Sequence, residues 1–108
     1  MGRPLSPAVI GALTVVGSEI RAARQQRGWT LEDLAERAGV SEKTVRSIEA
    51  GSTGASVGTL FEIAWLVGLE LLGRDEMELP SLVARSQERL SVAPQRVRKP
   101  VRKSRESF

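Results

Sequence analysis

Neither cysteine nor histidine occurs among the 108 residues of this chain. Without cysteine the chain cannot form a disulfide framework, and without thiolate or imidazole ligands we expect no zinc site. Catalysis by a cysteine, a histidine or a serine triad lacks its usual groups for the same reason. Glu32, Asp33 and Glu36 could supply acid–base chemistry, but three carboxylates on a short helix are typical of a solvated face. We therefore expect a protein that is not an enzyme and that holds no metal or cofactor.

Long apolar segments are also missing, since no run approaches the ~20 residues that a transmembrane helix needs. The apolar stretch near the N-terminus is interrupted by Gly11 and Thr14 and leads into a predicted helix, which argues against a signal peptide. We therefore expect a cytoplasmic protein that makes no membrane contact. A length of 108 residues allows one small domain with a single hydrophobic core.

The net charge of +3 is unevenly distributed along the chain. Residues 1–80 hold 8 Lys/Arg and 11 Asp/Glu, a net charge of −3, whereas residues 81–108 hold 8 Lys/Arg and 2 Asp/Glu, a net charge of +6. A basic terminal segment is typical of an arm that binds nucleic acid, and the alternative is a solubilising disordered terminus.

Residues 31–50, LEDLAERAGVSEKTVRSIEA, have the spacing of two short helices joined by a tight turn. Ala35 is small enough to lie where two helices cross, and Gly39 tolerates the positive φ that such a turn requires. Val45 can pack the second helix against the first. This spacing predicts a helix-turn-helix, a unit whose second helix enters the major groove of DNA.

Helix start signals extend this unit into a domain over residues 14–68. The predicted N-caps are Thr14, Thr30, Ser41 and Ser56, and the first helix is predicted from about Val15 to Arg27. Residues 1–13 are predicted to be a flexible or partly helical arm, because Ser6-Pro7 is a fair helix start that Gly11 weakens. The predicted fold class is all-α, with four to five helices.

A short strand is predicted over residues 69–74, where Leu69 and Leu71 alternate with Glu70 between two glycines. A lone strand needs a partner, and since no second strand is evident, we expect it to pair with its copy in a homodimer. Phe61 and Trp65, one helical turn apart, are predicted to extend this dimer interface, and the alternative is that they complete the core.

The C-terminal tail, residues 75–108, is predicted to be largely disordered, because beyond residue 93 it contains prolines and many charges but few core-forming side chains. A further short helix over residues 80–90 is the alternative for its first part.

The third helix carries the residues that we expect to read DNA. If Val45 points to the core, the opposite face presents four base-facing candidates, which are Glu42, Lys43, Arg46 and Ser47. Lysine can donate to guanine O6 and N7, glutamate can accept from the cytosine N4 amine, and serine can pair with several base edges. Arg46 suits either a base or a phosphate. The alternative is an ordinary solvated helix face.

Contacts to the DNA phosphates are predicted at helix N-termini, where unpaired N–H groups attract anions. The candidates are Thr30, Ser41, Thr44 and Ser52. Glu32 and Asp33, close to the start of the second helix, oppose this role. The predicted domain is therefore a weak electrostatic partner for DNA, and the basic tail could supply the missing attraction.

The stretch EIRAARQQRGWTLEDLAERAGVSEKTVRSIEAG resembles the Xre/Cro/CI-type helix-turn-helix domain, and the resemblance covers about residues 14–68. It implies a lambda-repressor-like fold and an interior ion pair between Arg24 and Glu49. The phosphate-binding glutamine that this family often has at the start of the second helix is Leu31 here. The loop that often carries a basic residue reads STGAS, so ordinary phosphate clamping is in doubt.

The segment WLVGLELLGRDE is similar to the corresponding part of HipB-like antitoxins, in which a short strand pairs with its two-fold mate. This narrower resemblance implies a homodimer that represses its own operon at a pseudo-palindromic operator on double-stranded DNA. It also implies a HipA-like kinase toxin as a partner. The alternatives are a stand-alone repressor without a toxin, and a sequence-tolerant nucleic-acid binder that works mainly through residues 85–105.

Overall fold

The computed structural model describes residues 4–70, 72–73 and 77–93. Within these ranges the chain forms five α-helices and no strand. They are α1 (Pro7–Gln26), α2 (Leu31–Ala38), α3 (Glu42–Glu49), α4 (Val57–Leu66) and α5 (Leu79–Val92). The predicted all-α class is therefore confirmed. The chain divides into two units, Met1–Glu76 with α1 to α4 and Met77–Phe108 with α5. None of the helices described here is long and apolar enough to cross a bilayer.

The core of the first unit draws one fully buried side chain from each of its four helices, which are Ile20, Leu34, Val45 and Ile63. The buried residues Ala35, Ile48, Ala64 and Val67 complete the core. Burying an aliphatic side chain of this size contributes roughly 1.5–3 kcal/mol, so this cluster is the main source of stability. Because α3 packs against both α1 and α2, its orientation is fixed from two sides.

The turn between α2 and α3 has the geometry that the sequence predicts. Gly39 caps α2 in the left-handed conformation, with φ of 71°. The N–H of Val40 then donates to the carbonyl of Ala35 at 3.0 Å, which closes the end of the helix. Ala35 and Val45 are both buried where the two helices meet. The helix-turn-helix is therefore present as predicted.

Side-chain caps start three of the helices. Thr30 and Asp33 form a reciprocal capping box, with the N–H of Asp33 donating to the Thr30 hydroxyl at 3.0 Å and the N–H of Thr30 to the Asp33 carboxylate at 2.9 Å. The N–H groups of Thr44 and Thr59 donate to the hydroxyls of Ser41 and Ser56. These caps confirm the predicted starts of α2, α3 and α4.

The predicted start of α1 at Val15, with Thr14 as its cap, is wrong. The helix begins at Pro7, with Ser6 in the extended conformation that precedes a helix. Thr14 is an interior helical residue, and its hydroxyl donates to the carbonyl of Ile10 at 3.0 Å. A helix can contain threonine in this way because the hydroxyl bonds back to the preceding turn. The predicted arm of residues 1–13 is thus helical from Pro7 onward, and residues 1–3 lie outside the described part.

The structure contradicts the predicted strand over residues 69–74 at Leu72 and Gly73. Leu69 and Glu70 belong to no helix or strand, and Leu72 and Gly73 form a turn. Their φ angles are 53° and 70°, whereas a strand needs φ near −120° to −140°. Two successive left-handed residues redirect the chain, so it cannot stay extended through this pair. Leu71 and residue 74 lie outside the described residues.

The first part of the C-terminal tail contains a helix. The helix α5, Leu79–Val92, has Pro80 in its first turn, where a missing N–H costs no hydrogen bond. None of its residues is buried within the structure described. This helix agrees with the alternative prediction of a short helix over residues 80–90. Residues 94–108 lie outside the described part.

Candidate nucleic-acid interface

The orientation of α3 decides which of its side chains can reach DNA. Val45 and Ile48 are buried in the core, at 0% and 2% exposure. The candidates Glu42, Lys43 and Arg46 are consequently exposed on the other side of the helix, and Ser47 is half-buried. The structure therefore places the four predicted base-facing residues on the accessible side of α3.

Glu42 and Arg46 form an exposed ion pair one helical turn apart, with 3.6 Å between a guanidinium nitrogen and a carboxylate oxygen. A pair of this kind contributes only about 0.3–0.5 kcal/mol, because water screens both charges. A DNA phosphate or base edge can therefore separate Arg46 from Glu42 at little cost. Among the exposed α3 side chains, this pairing leaves Lys43 as the positive charge that carries no ion pair in the described structure.

The N-termini of α2 and α3, which are predicted to bind phosphate, differ in their hydrogen bonds. The hydroxyl of Ser41 accepts from the N–H of Thr44 at 3.1 Å, and the two hydroxyl oxygens are 3.0 Å apart. One of these hydroxyls donates to the other, so one proton remains for an incoming anion. Capping and anion binding are therefore compatible at the start of α3.

At the start of α2 the capping groups of Thr30 are already bonded to Asp33, unlike those at the start of α3. The backbone N–H and the hydroxyl of Thr30 hold the pKa of Asp33 below its ordinary value, and the positive charge of Arg37 acts in the same direction. Asp33 thus stays ionised at neutral pH beside Thr30. A fixed negative charge at this position repels phosphate, so the start of α2 is a poorer anion site than the start of α3.

A cleft of about 350 Å³ lies between α3, the following loop and the start of α4. Four residues that the sequence predicts as separate DNA contacts line this cleft together, which are Lys43, Thr44, Ser47 and Ser52. The remaining lining residues are Gly54, Ala55, Ser56 and Thr59. Thr30 is not among the lining residues. The cleft combines five hydroxyl side chains with a single cation, which suits a backbone phosphate bound by hydrogen bonds more than by charge.

Ser56 and Thr59 are site residues that the sequence reasoning missed. The Ser56 hydroxyl donates to the Thr59 hydroxyl at 2.8 Å and accepts the N–H of Thr59 at 3.2 Å. The signal was present, because Ser56 was predicted as a helix cap, and a capped N-terminus is a potential anion site. What the sequence did not indicate is that this third N-terminus faces the same cleft as α3.

The ion pair between Arg24 and Glu49 holds α1 against the end of α3. Two hydrogen bonds join the side chains, Nε to Oε2 at 2.6 Å and Nη2 to Oε1 at 3.0 Å. A third runs from Nη1 of Arg24 to the carbonyl of Trp29 at 2.9 Å. The side chains are only 9% and 7% exposed, and the hydrogen bond to Glu49 raises the pKa of Arg24 against the opposing effect of burial. The pair thus fixes the position of α3.

Gly17 allows α1 and α3 to approach closely beside this ion pair. A Cβ atom at Gly17 would lie 2.6 Å from the carbonyl oxygens of both Ile48 and Glu49. Since those atoms belong to the backbone of α3, any larger residue would displace the end of that helix. The sequence reasoning assigned no role to Gly17, because this contact exists only between distant segments.

Arg27 and Trp29 connect the end of α1 to the end of α4. Nε of Arg27 donates to the carbonyl of Val67 at 2.9 Å, which satisfies a free carbonyl at the end of α4. The Trp29 ring contacts two guanidinium groups, with its centroid 4.1 Å from Cζ of Arg37 and 5.3 Å from Cζ of Arg27. The Trp29 ring therefore packs within the domain.

The residues predicted for the dimer interface have different surroundings. Phe61 and Trp65 lie on α4 with 43% and 44% of their surface exposed, so neither is part of the buried core. Val57, one turn before Phe61, extends this apolar face and is 69% exposed. Leu69 is half-buried against the core, and Leu71 lies outside the described residues.

Among the residues that the structure describes, no three acidic side chains are grouped so that they could hold a metal ion. The accessible groups of the site are hydroxyls, one lysine and an Arg–Glu pair. Such a set can bind DNA through hydrogen bonds and charge.

The helix-turn-helix, its exposed third helix and the adjoining cleft define the class of the protein. A family model described as "Helix-turn-helix" matches residues 20–71. An uncharacterized HTH-type transcriptional regulator of Sinorhizobium fredii, y4dJ, is 34% identical over 55 residues, which cover 71% of that protein. The chain therefore belongs to the Xre-type helix-turn-helix family of transcriptional regulators, as its sequence resemblance indicated.

Two further relatives and one solved structure are similar to parts of the chain. The HTH-type transcriptional regulator SutR of Escherichia coli is 41% identical over 49 residues, 45% of this chain and 28% of SutR. The antitoxin HipB of Escherichia coli is 34% identical over 58 residues, 54% of this chain and 60% of HipB. A chain in the structure of a HipA-HipB-O2-O3 complex superposes with a TM-score of 0.51 and 25% identity, covering 70% of this chain and 99% of that one.

Proposed function

We propose that this protein is a homodimeric repressor that binds a pseudo-palindromic operator and serves as the antitoxin of a toxin–antitoxin operon. The observation that carries the DNA-binding part is the exposed face of α3 beside the hydroxyl-lined cleft. Lys43 lies on this face and also lines the cleft, where it could contact a base edge or the adjacent phosphate. Glu42, Arg46 and Ser47 are the other proposed base contacts.

The phosphate contacts that we propose centre on the cleft. Thr44 and Ser52 line the cleft and remain candidates from the sequence, and Ser56 joins them because the start of α4 faces the same space. Ser41 is not among the lining residues and remains a candidate through its cap at the start of α3. Thr30 is a weaker candidate, since ionised Asp33 is bonded to it. Neutral donors release few counterions, so we expect the binding of this domain to depend less on salt than that of a lysine-rich one.

The homodimer is proposed from the exposed apolar face of α4. Phe61 and Trp65 are large aromatic side chains of the kind enriched at interfaces, and Val57 continues the same surface. We propose that a two-fold dimer through this face presents its two α3 helices to one side of the DNA. The half-sites would then lie about one helical turn apart, at ~34–36 Å. Substitution of Phe61 by aspartate should convert the dimer into monomers, as measured by sedimentation velocity.

The antitoxin role is supported by the similarity to HipB in sequence and fold. We therefore propose a HipA-like kinase toxin as the protein partner. The similarity to SutR supports the stand-alone repressor as the second candidate. The third candidate, a tail-driven and sequence-tolerant binder, is supported by the charge of +6 in residues 81–108.

Two experiments separate these candidates. In the first, the full-length protein selects binding sites from a random DNA pool, and the selection is repeated with Arg98 and Lys99 changed to glutamine. A repressor retains its site preference in this variant, whereas a tail-driven binder loses most of its affinity. In the second, nuclease-treated pull-down from native cells is followed by mass spectrometry. A stoichiometric kinase-fold partner supports the antitoxin, and recovery of the homodimer alone supports the stand-alone repressor.

A further inference from the structure

The exposed face of α3 consists of two stripes with different surroundings. Lys43 and Ser47, one helical turn apart, both line the cleft beside α4. Glu42 and Arg46, also one turn apart, are not among the lining residues and lie on the exposed surface of α3. The first stripe therefore faces the space that we propose for a DNA phosphate, and the second stripe can face the bases.

Glu42 and Arg46 present opposite charges side by side on this second stripe. The distance between Nη2 of Arg46 and Oε1 of Glu42 is 3.6 Å, which is longer than a hydrogen bond. The Arg46 side chain is 60% exposed and the Glu42 side chain 47% exposed. The pair therefore presents N–H donors next to a carboxylate acceptor, and both groups can form further hydrogen bonds.

This arrangement matches the major-groove edge of a G·C base pair. Guanine presents two adjacent acceptors, N7 and O6, and cytosine presents its N4 amine beside them as a donor. A guanidinium binds the two acceptors as a fork, and a carboxylate accepts from the amine. Because O6 and N4 are joined by a hydrogen bond of ~2.9 Å, the groups that bind them must also lie close together. The Glu42 and Arg46 side chains meet this requirement.

An A·T base pair fits the same two side chains less well. Its edge places the adenine N6 amine between adenine N7 and thymine O4, so no two acceptors are adjacent. The carboxylate could accept from N6, but the guanidinium would then bind one acceptor only and would face a second donor. Where no amine is in reach, the carboxylate is left beside the negative charges of the phosphates, which repel it.

We propose that Glu42 and Arg46 together read one G·C base pair in each half-site, with Arg46 on the guanine and Glu42 on the paired cytosine. This joint reading rests on the proposed operator binding by α3, and it specifies one base pair that the helix selects. Recognition helices contact bases with their N-terminal residues, and Glu42 is the first residue of α3. The negative charge of Glu42 also weakens binding to DNA that lacks a suitably placed amine.

The test is a double-mutant cycle on DNA binding by the full-length protein. Wild type, Glu42→Ala, Arg46→Ala and the double variant are titrated against the selected operator and against operators changed at one base pair at a time. In the wild type, replacing the G·C pair should weaken binding about 5- to 150-fold, the range for one bidentate contact. Each single variant should lose most of this preference at the same base pair, and the double variant should lose no more.

Binding to DNA without the operator gives a second readout. Glu42→Ala should bind such DNA more tightly than the wild type, because a carboxylate is removed, whereas Arg46→Ala should bind it more weakly. A loss of the same preference from two opposite changes of charge separates joint reading from a general electrostatic effect. Glu36→Ala, which removes an exposed carboxylate from α2, is the matched control and should leave the preference at every base pair unchanged.

The joint reading is overturned if the two single variants change the preference at different base pairs, at a pair other than G·C, or at none. In each of these cases the wild type still selects an operator, so the proposed function stands. If the wild type prefers no sequence, the proposed function itself fails, and the joint reading fails with it.

Discussion

The ion pair between Arg24 and Glu49 allows a quantitative prediction about how α3 is held. Glu49→Met removes the acceptor of two hydrogen bonds, at 2.6 and 3.0 Å, from a guanidinium whose side chain is 9% exposed. Leaving one partner of a buried pair uncompensated costs about 3–5 kcal/mol. A domain of this size has a total stability of roughly 5–15 kcal/mol, so this single change removes a large part of it.

The double variant Arg24→Met/Glu49→Met should be much less destabilised than the sum of the single variants. It leaves no buried charge, and its remaining loss is the hydrogen bond from Arg24 to the Trp29 carbonyl, worth about 1 kcal/mol. We therefore expect a coupling energy of about 2 kcal/mol or more.

Urea unfolding of the four proteins, at one fixed protein concentration, measures this coupling. Glu36→Met, which removes an exposed carboxylate from α2, is the matched control and should change the unfolding free energy by less than about 0.5 kcal/mol. Additive losses in the double variant, or a cost below about 1 kcal/mol for Glu49→Met, would refute the reasoning that the pair acts as one buried unit.

Two further changes test other parts of the structure. Gly17→Ala should destabilise the protein by about 1–3 kcal/mol or more, because the new Cβ meets two α3 carbonyls at 2.6 Å. Gly11→Ala, the same substitution in open space on the same helix, should stabilise it by about 0.5–1 kcal/mol, and equal effects in urea unfolding would contradict the close contact. Asp33→Asn should reduce the pH dependence of stability in acid. The folded pKa of Asp33 is lowered, so its contribution is present above its unfolded pKa and is lost as pH falls through the folded pKa. Melting temperatures from neutral pH to about pH 2 check this, and an unchanged acid slope in the variant would argue against the capping box.

The helix-turn-helix was predictable because its signals are local. Gly39 needs a left-handed backbone, and Thr30, Ser41 and Ser56 each accept an N–H from their own helix. These interactions span only a few residues, so the sequence displays them directly. The exposed face of α3 then follows from the helical period once Val45 is placed in the core.

The features that the sequence could not indicate depend on contacts between distant segments. Gly17 matters only because the end of α3 lies against it, and Ser56 joins the site only because the start of α4 faces the cleft. The start of α1 was misplaced because two cap signals compete, at Ser6 and Thr14, and the apolar stretch between them continues as helix. The alternation of Leu69 and Leu71 was too short to predict a strand reliably, since Leu72 and Gly73 turn the chain.

The claim that α3 reads DNA is tested most directly by the binding specificity of Lys43→Ala. Full-length wild type and variant should be titrated against the selected operator and against operators changed at one base pair at a time. We expect the variant to lose about 1–3 kcal/mol of binding free energy and its preference at one base pair per half-site. Arg85→Ala, which removes an exposed charge from α5, should leave the preference at every base pair unchanged. An unaltered affinity and preference in Lys43→Ala would contradict the assignment of α3 as the reading helix.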